Sequence, residues 1–115
     1  MKNNQLKILL IGSGGREHSL ALKLKESNQG PALFIAPGNA GTAQCGTNVQ
    51  INDTDIDTLL KFAINNNIDL TIVGPEAPLV EGIVDTFNEN NLNIIGPDKI
   101  GAQLEGSKAW SKAFM

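Results

Sequence analysis

Cysteine is nearly absent from this chain. Cys45 stands alone, which excludes an internal disulfide framework and fits a reducing compartment, so the cytoplasm is the expected location. Histidine is as scarce: His18 is the single one, and without a second histidine or an acidic cluster no metal site is expected here. There is no basic excess. Nine Lys and Arg against 12 Asp and Glu give a net charge of −3 and a pI near 5.0, which offers nucleic acid no electrostatic footprint. No apolar run approaches the roughly 18–20 residues that a membrane span requires. The opening "MKNNQLKILLIGSGG" has too short an apolar run for a signal peptide and lacks a cleavage-like pattern. Internal repeats and low-complexity linkers are missing too.

What is present reads as one small soluble α/β domain. The 115 residues are 41% hydrophobic and 18% charged, enough for one modest core. Twelve glycines are many for this length, and a parallel sheet with tight βα turns would use them. Strands are expected at "LKILLI" (6–11), "ALFIA" (32–36), "TNVQI" (47–51), "DLTIV" (69–73) and "LNIIGP" (92–97). Helices are expected from Arg16 to about Ser27, then after cap candidates Asp53 and Thr54. There Ile56, Leu59, Leu60, Ala63 and Ile64 recur at helical spacing. Val80, Ile83, Val84 and Phe87 mark one more helix. Five strands alternating with helices predict a Rossmann-like, doubly wound parallel sheet. Ligands of such sheets bind beyond the carboxyl ends of the strands. Those ends carry "GSGG", "PGNAG", "GPEAP" and "GP", so the chemistry is expected along one edge.

The first turn is the most informative. In "IGSGGREHSL" (11–20) an aliphatic strand meets three glycines in four positions, then Arg16, Glu17 and His18. Gly12 allows the turn, and Gly14 and Gly15 let backbone amides approach an anion at a helix N-terminus. A dinucleotide does not fit. Glu17 stands where the third glycine of GxGxxG belongs, and "APGN" (36–39) stands where an acidic residue would hold a ribose. No Gly-Lys-Ser/Thr follows to make a Walker loop. Two readings stay open: a site for a phosphate or other small anion, with Arg16 adding charge, or glycines needed only for φ and packing.

Four longer stretches resemble a known family. "IGSGGREHSLALKL", "IAPGNAGTA", "DLTIVGPEAPLVEGIVD" and "IIGPDKIGAQLEGSKAWSKAFM" are similar to the N-terminal domain of phosphoribosylamine–glycine ligases, in order and over essentially the whole chain. Trp110 departs from the family, which more often has phenylalanine there. The resemblance implies a pre-ATP-grasp domain at 1–103, followed at 104–115 by the start of an ATP-grasp region. It implies an enzyme of purine synthesis that joins glycine to 5-phosphoribosylamine using ATP with Mg²⁺ or Mn²⁺. ATP would phosphorylate the glycine carboxylate, and the amine of the sugar would attack the acyl phosphate.

On this resemblance the sugar is contacted by Gly12, Gly14, Gly15, Arg16, Glu17, Asn39, Gly41, Pro75 and Glu76. Lys108 would touch the nucleotide's phosphates, and most other ATP and metal contacts would come from the chain's own ATP-grasp domain. No catalytic residue is expected within this chain, and neither nucleic acid nor membrane is an expected partner. Each residue also has a plainer reading. Asn39 would satisfy its own Pro-Gly turn. Glu76, held between Pro75 and Pro78, would be a solvated carboxylate, and Lys108 a solvated lysine. His18 is read as packed support for the glycine turn, and Cys45 as a small turn residue. The segment 104–115 starts a helix whose Trp110 and Phe114 lie four apart; it opens a further domain or docks as a terminal helix. The alternative to a ligase fragment is a standalone Rossmann-like module that binds a nucleotide or partner without chemistry.

Overall fold

A computed structural model describes residues 6–26 and 30–96. The central strand β1 (Lys7–Gly12) is the apolar run "KILLIG", and every residue after Lys7 is buried. It pairs in parallel with β2 (Ala32–Pro37) on one side and with β4 (Leu70–Val73) on the other. Two short strands extend the sheet: β3 (Thr47–Asn48) beside β2 and β5 (Ile94–Ile95) beside β4. The order is β3-β2-β1-β4-β5, all parallel.

The alternation of side chains along the strands feeds two cores. Ile8, Leu10, Leu33, Ile35, Leu70 and Ile72 point to one face, where α1 (Gly15–Lys25) lays down Leu20, Ala21 and Leu24. Leu9, Ile11, Ala36 and Val73 point to the other, where α2 (Ile56–Asn65) supplies Leu59 and Ala63. Phe87 of α4 (Ile83–Glu89) joins that second core. Phe34 and Phe62 meet edge-on at 5.5 Å beside it. Helices on both faces of a parallel five-stranded sheet are the doubly wound architecture the sequence predicts.

The element bounds differ in instructive ways. The strand expected at 47–51 keeps ladder pairing only at Thr47–Asn48. Val49 still donates to the Ile35 carbonyl (2.7 Å), after which Ile51 N–H turns back to the Val49 carbonyl (2.8 Å). The cap of α2 is neither Asp53 nor Thr54 but Asp55, whose Oδ1 accepts from Thr58 N–H (3.3 Å). Thr54 is engaged by Asn52 Oδ1 through its N–H (3.0 Å) and hydroxyl (2.8 Å), a turn ahead of the helix. The helix expected around 80–87 is two, α3 (Ala77–Val80) and α4, because Gly82 adopts φ +87° between them. The expected strand at 92–97 pairs only at Ile94–Ile95. Ser27, the expected end of the first helix, lies outside the described residues, as do Pro97 and the whole of 104–115.

Candidate functional site

The sheet changes direction at β1. The chain leaves β1 through α1 toward β2, while β4 lies on β1's other side. A crevice opens at such a point beyond the strand ends, since neighbouring connections diverge to opposite faces. Here it is a cleft of about 610 Å³, walled by Gly14–Glu17 on one side and by Gly74, Pro75, Glu76 and Leu79 on the other. Two hydrogen bonds fix the walls: Gly74 N–H donates to the Ile11 carbonyl (3.1 Å), and the Arg16 guanidinium donates to the Gly74 carbonyl (3.2 Å). Gly14, Gly15, Arg16, Pro75 and Glu76 are thus brought together, 58 residues apart in sequence between Arg16 and Gly74. Glu76 is exposed at the rim, its carbonyl taking the Val80 N–H (3.0 Å) to start α3.

Glu17 is placed differently from its neighbours. It is only 5% exposed, and its Oε1 accepts the N–H of Gly14 at 2.7 Å. This is the carboxylate half of a capping box, which satisfies a donor that the helix cannot. Of the amides of Gly14 to Glu17 at which an anion is expected, that of Gly14 is held by the chain's own carboxylate. Room for the side chain comes from glycines. A Cβ on Gly12, which has φ +139°, would lie 2.5 Å from Glu17 Cγ, and a Cβ on Gly74 would collide with Glu17 Oε2. Gly12 therefore sits buried beneath the turn. The role of Gly74 went unread in the sequence, because it depends on a contact between positions 17 and 74.

Asn39 and Gly41 do not line this cleft. Asn39 Nδ2 donates to the carbonyls of Ser13 (2.8 Å) and Gly14 (3.3 Å), and its Oδ1 accepts from Thr42 N–H (2.9 Å). Thr42 Oγ1 in turn accepts from Asn39 N–H (2.7 Å), and Asn48 Nδ2 donates to the Asn39 carbonyl (2.8 Å). Asn39 thus ties the second turn to the first. Gly41 lies under His18, since a Cβ there would come within 2.5 Å of the imidazole. His18 packs as support between two turns, and Cys45 packs against the core of the α1 face. Lys108 lies outside the described residues. Among the described residues no group of three or more His, Cys, Asp and Glu side chains converges, and no helix is long and apolar enough to cross a membrane.

A parallel α/β sheet with a glycine-walled cleft at its switch point defines a Rossmann-like α/β domain with a candidate ligand cleft. Comparison with known proteins narrows the class. Residues 6–105 match the family model described as phosphoribosylglycinamide synthetase, N domain, and the chain belongs to that family. Among its relatives, phosphoribosylamine–glycine ligase of Clostridium acetobutylicum is 56% identical over 96% of this chain and 26% of its own length. The Escherichia coli ligase is 58% identical over the same shares. The chain spans about a quarter of the length of the curated relatives it matches. A solved structure of phosphoribosylamine–glycine ligase from Thermotoga maritima aligns with 63% of this chain and 16% of that one, at 25% identity and a TM-score of 0.47.

Proposed function

We propose that this chain is the sugar-side domain of an ATP-dependent ligase that joins glycine to 5-phosphoribosylamine, giving glycinamide ribonucleotide, ADP and phosphate. Family membership supports the reading, and the cleft between the first glycine turn and "GPE" is the structural observation that carries it. Its walls carry three charged residues, Arg16 and Glu17 on one side and Glu76 on the other. A carboxylate at the rim accepts hydrogen bonds from ribose hydroxyls or from the amine, and Pro75 and Pro78 lower the cost of holding it there. Gly14, Gly15 and Arg16 form the facing wall. Asn39, Gly41 and Gly12 act one step back, by holding the two turns in register.

The rest of the machinery is assigned to the segment from 104 onward and beyond. Lys108 contacts the nucleotide, and ATP with Mg²⁺ or Mn²⁺ supplies the phosphoryl group that activates glycine. The described residues present no ligand set for the metal. What this domain contributes is positioning of the amine.

Glu76→Gln in the full-length enzyme tests this. Loss of a charge-assisted hydrogen bond of about 1.5–3 kcal/mol should raise KM for phosphoribosylamine roughly 10- to 150-fold. KM for ATP should stay nearly unchanged. Unaltered sugar kinetics would remove Glu76 from the site. Tight, specific nucleotide binding by this chain alone would instead favour a standalone binding module.

A further inference from the structure

We infer that Glu17 is the specificity-determining residue of this cleft, because its buried carboxylate closes the first glycine turn to phosphate groups and hence to dinucleotides. The bearing of this on sugar recognition rests on the function proposed above; the closure itself is a property of the turn.

The turn has glycine at positions 12 and 14 of a GxGxxG pattern and glutamate at position 17. In a dinucleotide site the third glycine lets helix and strand pack closely, and the second lets the backbone reach the pyrophosphate. Here the opposite trade is built in. The Glu17 side chain enters the gap at the sheet's switch point, in space left by the missing side chains of Gly12 and Gly74. Its Oε1 takes the Gly14 N–H at 2.7 Å, the amide of the second glycine in the pattern. Among the described residues no cation pairs with this carboxylate, since the neighbouring Arg16 guanidinium is directed to the Gly74 carbonyl instead. An incoming phosphate therefore meets an uncompensated negative charge and a donor already occupied. That repulsion opposes the phosphate, and the attraction of the helix N-terminus is already answered from within. The sugar's phosphate must then be met away from Gly14, and the cleft admits the less charged part of the ligand.

The experiment uses the full-length protein with inorganic phosphate and ADP-ribose as probes. Glu17→Gln keeps an oxygen acceptor for the Gly14 N–H and removes the charge. Its affinity for both probes should rise at least about tenfold over the parent protein. Equal affinity in a variant whose melting temperature matches the parent's would overturn the inference. A second measurement needs no variant. The Gly14 amide resonance of the parent should stay fixed as phosphate is titrated, and a saturable shift there would equally overturn the inference. Ligase turnover of the parent is read separately. Absence of glycinamide ribonucleotide synthesis would sink the proposed function and leave the phosphate comparison standing.

Discussion

Gly74 and Thr71 sit three residues apart, just past and just before the end of β4, and each shows what one side chain does in close packing. Gly74 is small because Glu17 needs its space; a methyl group there collides with the carboxylate. Gly74→Ala should destabilise the domain by about 1–3 kcal/mol through overpacking, read as a lower midpoint in urea unfolding. Thr71 is the reverse case. It is 1% exposed, and its Oγ1 is buried without a hydrogen-bond partner. Leaving a hydroxyl unpaired costs more than replacing it with a methyl of the same shape. Thr71→Val should therefore raise stability by about 1 kcal/mol, measured by the same unfolding curve. At this scale the sequence was a partial guide. The glycines and charged residues of the turns stood out, but the inward turn of Glu17 and the clasp from Asn39 to Ser13 depend on partners far along the chain.

Elements were legible where periodicity was strong. The aliphatic runs of β1, β2 and β4 and the helical spacing of Leu59 and Ala63 in α2 identified themselves, because burial on two faces or one stripe leaves a pattern. Edge strands were found but drawn too long: β3 and β5 pair over two residues each, within the longer runs expected at 47–51 and 92–97. Periodicity did not register Gly82, since Val80 and Ile83 keep helical spacing across the break while Val80 stands 83% exposed. Helix starts depend on one hydrogen bond, and three polar residues in a row competed for it. Asp55→Ala should cost about 1 kcal/mol by removing the acceptor for Thr58 N–H. Asp53→Ala should stay within about 0.5 kcal/mol. Thermal melts of the two variants side by side check the assignment.

The whole molecule is a scaffold that brings two turns from distant parts of the sequence to one crevice. The cleft opens along the edge where the sequence places its glycine- and proline-rich turns, beyond the carboxyl ends of the strands. The division of labour within it was not legible, because the sequence shows which residues stand at the edge but not which face the cleft. On the proposed reading this chain holds the sugar and leaves activation of glycine to the remainder of the ligase. Purified alone, it should form no glycinamide ribonucleotide from ATP, glycine and phosphoribosylamine. ATP-dependent product from this chain by itself would refute that division.

The most direct measurement is a crystal structure of the full-length protein grown with glycinamide ribonucleotide, the product that carries both the sugar and the new amide. The ribose should lie between Gly14–Arg16 and Pro75–Glu76, with the Glu76 carboxylate within hydrogen-bonding distance of it and Glu17 still bound to the Gly14 N–H. A ligand seated elsewhere, with water alone between these two turns, would contradict the assignment of the cleft.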